Sequence, residues 1–460
     1  MASANASPTK DFFVRMLTRD ISIEDTIFDL IDNCHDGLLR TTALPTARER
    51  LATYGSFWAR LTIEEDWFSI EDNCGGIPIT LAETEAFRMG RPLGDRDKDL
   101  GTVGIYGIGM KRALFKIGRE AVVTSRYTEL DEFEVVIPAD WRDNDEDWTF
   151  EMRPVEPPNL AERGTRIMVT SLNAEVREAF TRISFLEDLQ KQIGQTYALI
   201  MRQGFKIFLN DIQIDPSEVQ IFVPSTEESI GPYALQGVID GVEVALACGL
   251  YRPLANVTEI DDEQESRRTK NDAGWTVICN DRVILYQDRS HLTGWGAGVV
   301  PSFHNQFIAI AGVVIFRSKD AAKLPLTTTK RGIDVGSFVY AKALDYMMKA
   351  TKIFTDFTNQ WKGSEEDLAP FFKRSTKITA SDVPARVSAM MREVARSGGS
   401  LRQLSPELPR RERLVLTRRI VFTRPVSSIE KVSEFLLGVV EKPSVVGEAC
   451  FDAIEGQSRS

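Results

Sequence analysis

Histidine and cysteine are scarce in this 460-residue chain, which has only His35, His291, His304 and five scattered cysteines, Cys34, Cys74, Cys248, Cys279 and Cys450, with no CxxC pair. Three histidines argue against a His-centred metal enzyme. An odd, dispersed set of thiols argues against a disulfide framework or a zinc site and fits a reducing, cytoplasmic setting. No apolar run is long enough to span a bilayer, so no membrane partner is expected. The N-terminus, MASANASPTK, lacks the apolar core of a secretory signal. No Gly-Lys-Ser or Gly-Lys-Thr occurs, so there is no Walker A loop, and no internal repeat or low-complexity tract is seen.

What is present is an ordinary globular composition, 43% hydrophobic and 27% charged, in a chain long enough for two or three domains. The net charge of -11 speaks against bulk nucleic-acid affinity. The charge is uneven, however. From Lys373 to Arg424, 13 Lys and Arg stand against 4 Asp and Glu, a local excess of +9. Such asymmetry marks an interaction segment for DNA or a protein partner. A blander account pairs its arginines with acidic parts of the same chain.

Periodicity predicts a helix over Asp11–Leu39, strands at Leu61–Ile63 and Phe68–Ile70, and a helix over Met110–Ile117 after a Gly-rich stretch. Strands are expected at Ala121–Ser125, Phe133–Ile137 and Arg166–Thr170, then a long helix over Val176–Met201. A second strand-rich region begins near Phe205 and continues through Val238–Leu250, Trp275–Ile284 and Phe307–Phe316. A helix over Tyr340–Gln360 follows, and then the Arg-rich remainder.

Four stretches carry chemistry. In FDLIDNCHDG, Asp29, Asn33 and Asp36 project within an arc of roughly 60° at about 100° per residue. Ile23, Ile27, Leu30, Ile31, Cys34 and Leu38 cluster opposite. Hard oxygen donors gathered on one face suit Mg²⁺, which takes one or two protein groups beside phosphate oxygens. The same pattern serves equally as the solvated face of an amphipathic helix. In SIEDNCGGIP, Asp72 is in phase with Phe68 and Ile70, so its carboxylate should point inward and need a donor, as an adenine amino group would be. A plain strand-end turn explains the same residues. In GTVGIYGIGMKRALFKIG, Gly101, Gly104, Gly107 and Gly109 lead into a helix bearing Lys111, a pattern that converges backbone N–H groups and a cation on an anion. Gly164-Thr165 opens the fourth, RGTRIMVTSL.

In order and spacing these four resemble the N box, first and second Gly boxes and Gly-Thr box of the GHKL ATPases, the superfamily of gyrase B, heat-shock chaperones, MutL and MORC proteins, over residues 20–172. The general look is closest to prokaryotic MORC-like proteins. The resemblance implies ATP and Mg²⁺ as ligands, with Asn33 as metal ligand. It implies a nucleotide site of Asn33, Asp36, Asp72, Gly76, Ile77, Gly104, Tyr106, Gly107, Ile108, Gly109, Met110, Lys111 and Thr165. Asp72 would take the adenine amine, and Thr165 would reach the base through a water. Asp29 stands where the family has a glutamate general base, one methylene short, which implies slow hydrolysis. Cys74 replaces the first glycine of the first Gly box. In LPLTTTKRGID, Lys330, or else Arg331, stands where a transducer lysine would reach the γ-phosphate.

The expected architecture is thus an α/β, or α+β sandwich, ATP-binding domain over 1–205. An α/β transducer-like domain follows over 206–362, and then a mainly helical, basic interaction region over 363–460. The expected function is a Mg-dependent ATPase that dimerises or closes on nucleotide and clamps nucleic acid or a protein, in genome maintenance or phage defence by resemblance. One alternative is an ATP-binding module with little hydrolysis. Another is a GHKL protein kinase, against which stands the absence of a phospho-accepting His helix.

Overall fold

The computed structural model describes residues 8–42, 54–90, 107–225, 229–256, 259–260, 272–327, 332–394, 401–410 and 423–458. The chain is of mixed α/β class and divides into two compact units, Met1–Pro409 and Arg410–Ser460.

The first helical stretch is two helices, α1 (Lys10–Thr18) and α2 (Ile23–Thr41), where the periodicity predicts one. Ser22 is the reason. Its extended backbone breaks the run, and its hydroxyl accepts from the Asp25 N–H at 3.1 Å as an N-cap. Strands β1 (Trp58–Ile63) and β2 (Phe68–Asp72) precede α3 (Gly109–Ile117). Then come β3 (Gly118–Arg126), β4 (Glu132–Ile137), β5 (Glu151–Pro154) and β6 (Gly164–Leu172). The expected long helix is three pieces, α4 (Ala174–Phe180), α5 (Ile183–Thr196) and α6 (Ala198–Arg202). Strands β7 (Lys206–Leu209) and β8 (Ile212–Gln213) complete an eight-stranded sheet of order β5-β4-β3-β6-β2-β1-β7-β8. It is antiparallel except where β1 meets β7. The strand-rich region therefore contributes its first two strands to this sheet.

The register across this sheet is informative. Leu61, Ile70, Ile167, Val123 and Val135 lie opposite one another on five strands, all buried, and form one apolar row. Ile27, Ile31, Cys34 and Leu38 of α2 join the same core.

A second core is built on a seven-stranded sheet. β10 (Tyr233–Ile239) and β11 (Val242–Leu250) form one hairpin in it, and β12 (Gly274–Cys279) and β13 (Arg282–Asp288) another. The apolar runs at 238–250 and 275–284 thus each hold a turn. Asp240-Gly241 and Asn280-Asp281 have positive φ at both positions, the geometry that fits a two-residue hairpin. β14 (Ile310–Arg317) runs parallel to β12, and α7 (Phe338–Trp361) packs on this core. The sheet is closed at its other edge by β16 (Arg392–Glu393) and β17 (Arg402–Leu404), while β15 (Ser375–Thr379) pairs with β9 (Gln220–Pro224). The described part of the basic segment before Arg410 is therefore woven into the first unit rather than forming a helical tail. Arg402 bonds the Ser388 carbonyl.

The second unit contains α8 (Val426–Leu437), stopped by the left-handed Gly438, and α9 (Pro443–Ser458). Ser433, fully buried, accepts from the Glu441 N–H at 2.8 Å and donates to the Val439 carbonyl at 2.7 Å. Among the described residues no helix is long and apolar enough to cross a membrane.

Candidate functional site

Two residues along each strand from the apolar row, the next row of the first sheet changes character. Ala59, Asp72, Thr165, Ser125 and Phe133 lie opposite one another on β1, β2, β6, β3 and β4. Side chains alternate faces along a strand, so this row projects to the same side as the core. Three adjoining strands thus turn polar together at their ends. Asp72 is partly buried, and its carboxylate accepts from the Cys74 N–H at 2.8 Å. Burial raises its carboxyl pKa from 3.8 to about 6, against the pull of that hydrogen bond. Thr165 shares a 3.2 Å hydroxyl contact with Ser125, which also receives the Ile77 N–H at 2.8 Å. Ser125 was not among the expected residues. Nothing in its local sequence marks it, and only the pairing of β3 with β6 brings it to the site.

Glycine is required here on steric grounds. A Cβ on Gly76, which has φ +70°, would lie 2.2 Å from the Arg126 carbonyl oxygen. A Cβ on Gly164 would lie 1.8 Å from the Asp72 carbonyl oxygen. Gly164→Ala must therefore force β2 and β6 apart, and it is expected to destabilise the protein by about 3 kcal/mol. A melting temperature equal to the wild type's would contradict that close approach.

Helix α2 runs alongside the polar row. Its far end is tied down by Thr41, whose hydroxyl donates to the Cys74 carbonyl at 2.8 Å. The Cys34 and Cys74 thiols flank the Asp72 carboxylate, and burial first, then that negative charge, raises both well above the usual thiol range. They are inert packing groups rather than nucleophiles. Five residues before Cys34, about 7.5 Å of helical rise, stands Asp29. A Cβ on Gly109, the first residue of α3, would lie 3.5 Å from the Asp29 carboxyl carbon. The N-terminus of α3 therefore abuts one end of the α2 face and Asp72 the other.

The three polar positions of that face differ in exposure. Asn33 is exposed, whereas Asp29 and Asp36 are 4% and 1% exposed. A solvated amphipathic face thus describes Asn33 alone. Asp29 is paired with Arg112 of α3, whose Nε donates to Oδ2 at 3.1 Å and whose Nη2 joins the same oxygen. Lys111 is buried, with its ammonium on the carbonyls of Ala86 and Gly107, and burial lowers its pKa to about 8. Its charge is directed at backbone, and it is Arg112 whose charge is paired with α2. Gly107, Ile108, Gly109 and Met110 form the entry to α3, with Gly107 at φ +64°. Gly104, Tyr106, Lys330 and Arg331 lie outside the described residues, as do Arg411, Arg413, Arg418 and Arg419 of the basic segment.

Among the described residues no group of three or more His, Cys, Asp or Glu gathers to hold a metal ion. Asn33 offers one exposed oxygen donor on α2, which fits a hard ion completed by phosphate and water but not a dedicated protein cage.

Asp32, about 60° round α2 from Asp29 at about 100° per residue, is 2% exposed and accepts at Oδ1 from Arg282 Nε at 2.8 Å and from the Tyr197 hydroxyl at 2.9 Å. Burial is the largest influence on the Arg282 pKa and lowers it, but Asp32, Tyr197 and Asp29 together outweigh it, so the guanidinium is held above its usual value.

Compared with known proteins, the chain matches no family model and no curated protein.

Proposed function

We propose that this chain is an ATP-binding conformational switch of the GHKL type, with adenine at the Asp72 end of helix α2 and phosphates at the Gly109 end. The observation that carries the reading is the polar row of Asp72, Thr165 and Ser125 in a sheet face that is otherwise core, lying beside α2. A partly buried carboxylate with the Cys74 N–H on one oxygen can take a further donor, and the exocyclic amine of adenine is one. Thr165 and Ser125 supply hydroxyls beside it, and Gly76, bare of a side chain against the Arg126 carbonyl, holds the turn after β2 close to the end of β3. The N-terminus of α3 suits phosphate oxygens.

In this reading Asp29 orients the attacking water, and its work is positioning rather than covalent chemistry. Bound magnesium would neutralise phosphate charge, and Asn33 is the side chain that would hold it. Lys330 is the proposed γ-phosphate contact from the second region. Nucleotide would join two protomers and present the 373–424 segment to DNA or a protein partner. A second reading, nucleotide held with scarcely any turnover, is favoured by one observation: the Asp29 carboxylate is already engaged by Arg112.

Light-scattering mass measurement, with and without a non-hydrolysable ATP analogue and Mg²⁺, tests the switch. The mass should double on adding the analogue. A mass that stays at 51.6 kDa with saturating analogue would remove the dimerising switch and leave a monomeric nucleotide-binding module.

A further inference from the structure

The Asn280-Asp281 turn and the first residue of β13 join two parts of the chain that share no local sequence. The Asn280-Asp281 turn carries Arg282 from the edge strand of the second sheet into the first core, 250 residues from its partner Asp32. Three buried groups meet there: Arg282 and Asp32, with side chains 5% and 2% exposed, and Tyr197, 1% exposed. The Tyr197 hydroxyl lies 2.9 Å from both Asp32 Oδ1 and the Phe28 carbonyl and directs its single proton between these two acceptors. Both acceptors belong to α2, and they bracket Asp29 on the chain, one residue before it and three after.

The turn itself is pinned. Asp281 receives Arg317 at 2.7 and 2.9 Å and the Gln203 side-chain amide at 3.0 Å. Leu199 of α6, Ile278 and Val283 share one apolar cluster around it. Arg282 therefore cannot follow α2 if the helix moves unless the second sheet moves too. An ion pair buried on both sides has no water to replace a lost partner.

We propose that Arg282, acting with Tyr197, is a positioning residue. It sets the rotation of α2 and so the aim of Asp29, making chemistry on the nucleotide depend on the seating of the second sheet. The proposal rests on the ATP reading above. It assigns to a described, buried arginine a coupling role beside the one proposed for Lys330.

The test is single-turnover ATP hydrolysis and ATP affinity in wild type, Arg282→Ala, Arg282→Lys and Tyr197→Phe, each checked for folding by thermal melting. Tyr197→Phe keeps the ring and its packing, so it should fold even if Arg282→Ala does not. Expected are a three- to tenfold slower turnover in Tyr197→Phe, at least tenfold in Arg282→Ala, and partial recovery in Arg282→Lys. ATP affinity should stay within twofold of wild type in all of them. A purely structural role would lower melting temperatures while leaving turnover per folded molecule unchanged, and that result would overturn the proposal. So would wild-type turnover in both Tyr197→Phe and Arg282→Lys, which strikes Arg282 and leaves the ATP reading standing. A wild-type chain that binds ATP without ever turning it over leaves nothing for Arg282 to position and contradicts it too. A wild type that does not bind ATP removes the ATP reading itself.

Discussion

Asp29→Ala should bind ATP within about threefold of wild type and lose turnover by about 10²- to 10⁴-fold, the range in which a positioned general base contributes. The carboxylate lies near the start of α3, where a Cβ added to Gly109 would come within 3.5 Å of its carboxyl carbon, which is the proposed phosphate end rather than the proposed adenine end. It also holds Arg112, and removing it leaves that guanidinium without its carboxylate in a mostly buried position. Asp29→Asn is the cleaner arm, because the carboxamide preserves shape while removing the base. Asp29→Glu should turn over faster than wild type if the short side chain limits the rate. Undiminished hydrolysis in Asp29→Asn would remove the general-base role.

How far this site was legible from sequence differs residue by residue. Asp72 was legible because a two-residue period needs only its own strand, and the structure has it in phase with Phe68 and Ile70 as expected. The glycines were legible as a class, but the contacts that forbid a side chain, to Arg126 and to Asp72, come from neighbouring strands. Ser125 was invisible, since its place depends on register. The direction of Lys111 was also out of reach. A lysine in the first turn of a helix can point at a ligand or back at carbonyls, and here Ala86 and Gly107 decide it. The break between α1 and α2 was within reach, because Ser22 followed by Asp25 is a capping pattern, although the apolar period runs through it. Two hairpin turns hid inside apolar runs for the same reason. Nothing local could pair Asp32 with Arg282.

Asp72→Asn should weaken ATP binding by about 10- to 100-fold, the value of a hydrogen bond to a charged group. The change is nearly isosteric, so the expected loss lies in the acceptor and not in packing. The same carboxyl gives the wild type a pH signature. Its folded-state pKa of about 6 lies above the 3.8 of an unperturbed aspartate. The protonated form therefore stabilises the free protein fully below about pH 4, and that contribution is lost as pH rises through about 6. ATP affinity should run the other way, increasing between pH 5 and 7 as the acceptor ionises. In Asp72→Asn both trends should vanish. ATP-induced thermal stabilisation equal to the wild type's in that variant would remove the adenine assignment.

The central claim is an adenine-specific nucleotide pocket, and calorimetric titration of the full chain with ATP and with GTP, each with Mg²⁺ at pH 7, tests it most directly. Guanine presents a carbonyl oxygen where adenine presents its amine, so the Asp72 carboxylate, which keeps the Cys74 N–H, would face an acceptor in place of the base's donor. The account predicts one saturable ATP site per chain and GTP binding at least tenfold weaker. No saturable ATP binding, or equal affinity for the two nucleotides, would contradict it.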